Sequence, residues 1–92
     1  MEEPSRLEVR FSGWVQGVGF RYTVQRLSAG FAVTGYVKNL DDGRVELVCE
    51  GERSELERFY KSILAKMEGY IESVDLNWSE AKNEFTGFKI RF

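Results

Sequence analysis

The 92-residue chain contains no histidine, and this absence excludes several kinds of chemistry at once. Without an imidazole there is no Ser-His-Asp or Cys-His nucleophile system and no histidine-ligated metal centre. The single cysteine, Cys49, leaves no partner for an intramolecular disulfide. Cys49 alternates with the apolar residues Val45 and Leu47, a pattern that favours a buried strand thiol over a reactive one. Any catalysis must therefore use other groups.

Long apolar runs and an excess of basic residues are also missing. No stretch is typical of a signal peptide or a membrane span, and the chain starts with polar residues, which predicts a cytoplasmic protein with no membrane partner. The formal net charge is −2. Because a broad nucleic-acid-binding face depends on clustered lysine and arginine, we expect no nucleic-acid partner. An anion would be bound at a local site.

The composition is that of one small globular domain. Apolar residues make up 42% of the chain and charged residues 30%, enough for a core and a soluble surface. We predict a flexible N-terminus over residues 1–6, a single domain over 7–92 and a monomer.

A glycine-rich stretch, Gly13-Trp-Val-Gln-Gly-Val-Gly-Phe-Arg21, carries the main functional signal. Its glycines let the backbone adopt positive φ or approach a ligand closely, so that successive N–H groups can point at one oxyanion. A helix predicted to begin near Phe20 adds unpaired N–H groups and the positive end of its dipole. Arg21 in its first turn is unfavourable by roughly 0.3 to 1 kcal/mol, a penalty that a bound anion would remove. The stretch predicts an anion-binding loop.

An ordinary glycine-rich connection with a solvated arginine is the alternative interpretation. The spacing does exclude two better-known loops. It lacks the Gly-Lys-Ser/Thr ending of a nucleotide P-loop, and its glycines do not fit the dinucleotide-binding fingerprint. A ligand here would be held by the backbone and one arginine.

Hydrophobic periodicity predicts the order β-α-β-β-α-β plus a final strand. The strands are expected over 7–13, 35–40, 44–50, 74–78 and 88–92, with the last two joined across a polar turn at 82–84. The helices are expected over 20–31 and from a capping box at 54–57 to Gly69. The aromatic residues of the closing strands, such as Trp78 and Phe92, are assigned to the core. This order predicts an α+β protein, a ferredoxin-like α/β sandwich with a mostly antiparallel sheet and two helices on one face.

This topology places Asn39 beside the glycine-rich loop. A right-handed crossover through the first helix makes the first two strands run the same way, so that their carboxyl ends lie at one edge of the sheet. Asn39 ends the second strand. Taken locally, Asn39 can also be a turn residue of the hairpin that contains Asp41, Asp42 and Gly43.

Three segments and a closing motif form a recognisable set: Gly13-Trp-Val-Gln-Gly-Val-Gly-Phe-Arg21, Gly35-Tyr-Val-Lys-Asn39, Asp42-Gly-Arg-Val-Glu46 and Gly87-Phe-Lys-Ile90. Together they resemble the acylphosphatase family. The resemblance implies a hydrolase without metal or cofactor that cleaves small acyl phosphates into carboxylate and inorganic phosphate. It implies that Arg21 and the loop amides hold the phosphate and that Asn39 positions water. The implied phosphate-binding residues are Gln16, Gly17, Val18, Gly19, Phe20 and Arg21.

The chemistry of a mixed anhydride agrees with the missing histidine. A carboxylate leaves without protonation, so no general acid is needed. Phosphoryl transfer depends mainly on positioning and on neutralising charge on the phosphoryl oxygens. A non-catalytic module that binds phosphate or a phosphorylated metabolite in the same loop is the alternative. An RNA-binding sheet is disfavoured, because residues 44–49 contain no aromatic side chain.

Three positions depart from the family pattern, and the one at Tyr36, in place of a common tryptophan, is a conservative packing change. Ala32 stands where a glycine commonly ends the first helix. We therefore expect either that the left-handed cap moves to Gly30 or that the backbone of Ala32 is strained. Trp14 stands where an arginine is common, and we expect an indole there to weaken electrostatic steering and to favour apolar or aromatic acyl groups.

Overall fold

The strands sort their side chains alternately onto two faces of one sheet. The computed structural model describes residues 3–92, in which β1 (Pro4–Gly13), β2 (Thr34–Asn39), β3 (Val45–Glu52), β4 (Ile71–Glu80) and β5 (Phe88–Arg91) form a five-stranded sheet. Helices α1 (Phe20–Ser28) and α2 (Arg53–Met67) pack on each other and on one face of this sheet. The strand order is β4-β1-β3-β2-β5, and only the β2–β5 pair is parallel among these strands. The predicted α+β, ferredoxin-like fold is confirmed.

The core lies between the helices and the sheet. Phe11 of β1 packs on Phe20 of α1 with ring centroids 5.0 Å apart, and both rings are buried. Fully burying such a side chain stabilises the fold by about 1.5 to 3 kcal/mol. The other completely buried residues of this layer include Leu7, Val9, Val24, Val37, Val45, Leu47, Leu56, Phe59 and Ile63. Phe11 thereby fixes the end of β1 against the start of α1.

The register brings the ends of β1 and β2 to the same edge of the sheet. Both strands run antiparallel to β3, so they run in the same direction, as predicted. Phe11 of β1 and Asn39 of β2 both pair with Val45 of β3. The loop that follows β1 and the side chain of Asn39, the last residue of β2, therefore lie at the same end of the sheet.

The polar turn predicted at 82–84 does not place the two closing strands side by side. β4 pairs with β1 at one edge of the sheet, whereas β5 lies parallel to β2 at the other edge. The connection between them is held over β3 by the buried carboxylate of Glu50, which accepts hydrogen bonds from the N–H groups of Lys82 (2.8 Å) and Asn83 (3.0 Å). The polar segment 82–84 is thus part of a crossover. Its partner on β3 is distant in sequence, so local turn chemistry does not indicate it.

The N-terminal boundary also differs from the prediction. β1 begins at Pro4, and Pro4, Ser5 and Arg6 pair with the end of β3. These residues were predicted to be part of a flexible N-terminus, and Met1 and Glu2 of that segment lie outside the described residues. The buried Arg6 guanidinium donates to Glu50 Oε2 at 3.0 Å and also pairs with Glu8 and Glu84. This pairing anchors the first residues of the strand.

The predictions for the start of α2 and for the end of α1 were both wrong. The N-cap of α2 is Glu52, two residues before the Ser54 of the predicted capping box. α1 ends at Ser28, and its C-cap residue Ala29 is right-handed with φ −64°. Neither Gly30 nor Ala32 has a positive φ. The expected left-handed cap is absent because tight main-chain turns end the helix and the Ala32 N–H donates to Glu55 Oε2 of α2 at 2.8 Å.

Within residues 3–92 no helix has the length and apolar character needed to cross a lipid bilayer.

Candidate active site

The loop between β1 and α1 owes its shape to two left-handed glycines. Gly17 has φ 79° and Gly19, the N-cap of α1, has φ 76°. A Cβ atom at either position would meet no atom within 4 Å, so glycine is needed for its backbone conformation and not for space. A winding of this kind turns successive N–H groups toward one side, as in anion-binding nests.

The N–H groups of this loop are not used by the rest of the protein. Among residues 3–92, the main-chain N–H groups of Gln16 through Arg21 donate to no acceptor, and the first helical bond runs from Thr23 N to Gly19 O at 3.0 Å. α1 has no side-chain cap at its N-terminus and no acidic residue in its first turn. The positive end of its dipole and several donors therefore remain available to an anion.

Arg21 and Asn39 line the same cleft. This cleft has a volume of about 200 Å³, and its walls are Val15, Gly17, Gly19, Phe20, Arg21, Tyr22 and Asn39. Of the predicted phosphate-binding residues, Gln16 and Val18 are not in its walls, and the Val18 side chain packs against the core. These two residues can contribute only their main-chain N–H groups. The arginine and the asparagine singled out from the sequence do lie together.

The Arg21 guanidinium carries an unneutralised charge. No carboxylate in the described part of the chain forms an ion pair with it. Its Nη1 donates a long hydrogen bond, 3.5 Å, to the main-chain oxygen of Arg91, and its central carbon lies 4.9 Å from the centroid of the Phe92 ring. Phe92 is 87% exposed, so the prediction that it belongs to the core was wrong. These contacts orient Arg21 and leave most of its N–H donors free.

The Asn39 side chain does not cap the β2–β3 turn. Within residues 3–92 it makes no hydrogen bond, and the turn is closed by other groups: Leu40 N donates to Arg44 O at 2.8 Å, and Asp42 Oδ1 accepts from Arg44 N at 3.1 Å. The hydrogen bond with Arg44 lowers the pKa of the Asp42 carboxyl. The turn interpretation of Asn39 therefore loses its support, and the carboxamide remains free to bind a molecule in the cleft.

Two features of the site were not predicted from the sequence. The Gln16 side chain does not line the cleft and donates from Nε2 to Leu40 O (2.8 Å) and Arg44 O (3.0 Å) of the β2–β3 hairpin. Tyr22, 56% exposed, forms part of the cleft wall. The only sequence signal for Tyr22 was that it directly follows Arg21 in the first turn of the predicted helix. No local pattern indicates the partners of Gln16.

The cleft contains no carboxylate or thiol among its lining residues. Cys49 is buried in the sheet, and burial raises its pKa to about 12, which keeps the thiol protonated at neutral pH. In the part of the chain that the structure describes, no group of three acidic, cysteine or histidine side chains could hold a metal ion. The chemistry available at the cleft is therefore anion binding and hydrogen bonding.

Comparison with known proteins agrees with this geometry. The family model described as acylphosphatase matches residues 7–90. The chain belongs to the acylphosphatase family. The acylphosphatase of Lactobacillus gasseri is 42% identical over 84 residues, which cover 89% of this chain and 92% of that protein. The acylphosphatase of Thermobifida fusca is 40% identical over 90 residues, covering 97% and 99% of the two chains.

A solved acylphosphatase shares the fold. The crystal structure of the acylphosphatase from Bacillus subtilis superimposes with a TM-score of 0.85 and 32% identity, covering 96% of this chain and 99% of the other. The family match thus spans the loop, both helices and nearly the whole sheet.

Proposed function

We propose that this protein is an acylphosphatase that hydrolyses the carboxyl-phosphate anhydride of small acyl phosphates to a carboxylate and inorganic phosphate. Its family membership supports this activity. The observation that carries the proposal is that Arg21, the unpaired N–H groups of the loop and Asn39 share one cleft. Each of the three supplies a different part of the reaction.

The phosphoryl group binds between the loop and Arg21. The main-chain N–H groups of Gln16 to Arg21 offer donors at fixed positions, and the planar guanidinium offers parallel N–H groups that match two phosphoryl oxygens. Together with the helix dipole, these groups neutralise negative charge that is spread over the equatorial oxygens in the transition state. This arrangement stabilises the transition state without a metal ion.

Asn39 orients the attacking water. Its carboxamide oxygen accepts a hydrogen bond from water, but a carboxamide is too weakly basic to take the proton. The water oxygen forms a bond to phosphorus, the bond between phosphorus and the acyl oxygen breaks, and the electron pair of that bond leaves on the carboxylate. A phosphoryl oxygen of the substrate accepts the proton. The carboxylate is a stable leaving group, so the absence of a general acid is no obstacle.

The same proposal includes a metal-independent monomer that acts in the cytoplasm as a single domain. The lack of an acidic ligand cluster among the described residues supports metal independence. The small, open cleft supports a broad range of acyl groups.

The deciding experiment is hydrolysis of benzoyl phosphate in the presence of EDTA, with inorganic phosphate as inhibitor. We expect turnover without added metal and competitive inhibition by phosphate. Asn39→Ala should lower kcat by about 10²-fold while changing the inhibition constant of phosphate much less. Asn77→Ala, on the exposed surface of β4, is the matched control and should behave as the wild type.

Two results would count against the proposal. Phosphate binding without turnover would identify the protein as a binding module. Turnover that disappears in EDTA and returns with a divalent cation would refute the metal-free scheme.

A further inference from the structure

The Gln16 side chain joins the phosphate-binding loop to the β2–β3 hairpin. Its amide nitrogen Nε2 lies 2.8 Å from the main-chain oxygen of Leu40 and 3.0 Å from that of Arg44. Both acceptors are carbonyl groups, which cannot donate a hydrogen bond, so the nitrogen and not the oxygen of the amide must face them. Chemistry therefore fixes the orientation of the carboxamide.

The link is the direct polar connection between the two halves of the site. Among residues 3–92, no other hydrogen bond joins residues 14–19 to residues 39–44. The opposite side of the loop is tied to the rest of the protein by Trp14 N, which donates to Tyr70 O at 2.8 Å. Gln16 thus holds the loop on its hairpin side.

One of the two acceptors belongs to the residue that follows Asn39. Leu40 and Arg44 form the neck of the hairpin, with Leu40 N donating to Arg44 O at 2.8 Å. The amide of Gln16 inserts its two N–H groups at this neck. Any movement of the loop relative to the neck would change the distance between the phosphate-binding N–H groups and the Asn39 carboxamide.

We propose that Gln16 is a positioning residue that sets the distance between the bound phosphoryl group and the water held by Asn39. The inference rests on the proposed acylphosphatase function. The main-chain N–H of Gln16 contributes to phosphate binding, and the Gln16 side chain acts through Asn39. Loss of the side chain should therefore impair the chemical step more than phosphate binding.

The hairpin does not need Gln16 in order to fold. The Leu40 oxygen also accepts from Gly43 N at 3.2 Å, and the Arg44 oxygen accepts from Leu40 N. Removing the glutamine amide leaves neither carbonyl without a protein partner. Gln16 itself is only half-buried. The activity of a variant can therefore be measured on a folded protein.

The test is a double-mutant cycle between Gln16→Met and Asn39→Ala, with benzoyl phosphate as substrate and inorganic phosphate as inhibitor. Gln16→Met keeps the length of the side chain and removes its N–H groups. We expect kcat to fall by about tenfold or more, because misalignment of reacting groups by about 1 Å can cost up to ~10²-fold. The inhibition constant of phosphate should change by less than about threefold. In the Asn39→Ala background, Gln16→Met should lower kcat by less than about twofold more.

Two control variants separate positioning from folding. Gln25→Met makes the same replacement on the exposed side of α1 and should leave kcat unchanged. Gln16→Asn keeps the amide but is too short by one methylene to reach both carbonyls, so it should reproduce the loss of kcat. Thermal melts of all variants check that each is folded.

The outcomes are distinct. If Gln16→Met lowers kcat by the same factor in the wild type and in Asn39→Ala, or leaves kcat unchanged, the inference is overturned and the proposed function still stands. Normal turnover by Asn39→Ala alone would overturn the proposed water-orienting role, and this inference with it.

Discussion

Arg21→Lys is the sharpest test of how the phosphoryl group is held. The substitution keeps one positive charge and removes the planar arrangement of donors. In the structure, Nη1 makes one long hydrogen bond to Arg91 O, so the remaining N–H groups of the guanidinium are free to bind two phosphoryl oxygens together. A lysine ammonium cannot reproduce this bidentate geometry.

The expected loss can be estimated from comparable donors. Removing one preorganised donor to a developing negative charge costs about 10²- to 10³-fold in rate. We expect kcat/KM for benzoyl phosphate to fall by about 10²-fold, which corresponds to about 2.7 kcal/mol of transition-state stabilisation. Protein stability should change by less than about 1 kcal/mol, because Arg21 makes only exposed, weak contacts.

The assay compares kcat/KM, the inhibition constant of phosphate and the urea unfolding midpoint. Arg26→Lys, in the last turn of the same helix and exposed, is the matched control and should retain wild-type activity. Near-normal turnover by Arg21→Lys would refute the bidentate argument, because charge alone would then suffice. An equal loss in Arg26→Lys would show that the effect belongs to the helix and not to the site.

Three further predictions concern groups outside the cleft. Glu50→Ala should destabilise the fold by about 2 to 3 kcal/mol in urea titrations, because the N–H groups of Lys82 and Asn83 lose their acceptor and Arg6 keeps only Glu8 and Glu84 as partners. The kcat of the folded protein should be unchanged, and a shift below about 1 kcal/mol would contradict the anchoring role of Glu50. Burial and the hydrogen bond to Glu46 raise the pKa of Tyr36 to about 12. The Tyr36 contribution to stability should therefore be complete below pH ~10 and be lost as pH rises toward 12, and this loss should be absent in Tyr36→Phe. Cys49 should not react with a thiol reagent at neutral pH until the protein unfolds, and rapid labelling of the native state would show that the sheet opens locally.

Alternation and handedness were enough to predict the part of the fold that carries the site. The repeated apolar positions of β1 and β3 gave their buried faces, and the right-handed crossover gave the common direction of β1 and β2. Arg21 and Asn39 could be placed together because that argument needs only strand directions. The topology is therefore the reason that both side chains line one cleft.

The errors concern features that depend on distant partners. β4 and β5 were predicted to be joined by a polar turn, but the Glu50 carboxylate on β3 holds the connection as a crossover. The end of α1 was expected to need a left-handed residue, whereas Glu55 of α2 satisfies the Ala32 N–H. The Gln16 link and the position of Phe92 over Arg21 likewise arise from side chains that are far apart in sequence. Periodicity contains no information about such pairs.

The parallel pairing of β5 with β2 has a practical consequence for anyone who handles this protein. Since β5 runs toward the cleft, a peptide fused after Phe92 would begin beside the Arg21 guanidinium. Pro4 lies at the opposite end of the sheet from the cleft, because it pairs with Glu52 while Phe11 pairs with Val45. A purification tag belongs at the amino-terminal side, and kinetic constants measured with a carboxyl-terminal tag would describe a partly obstructed cleft.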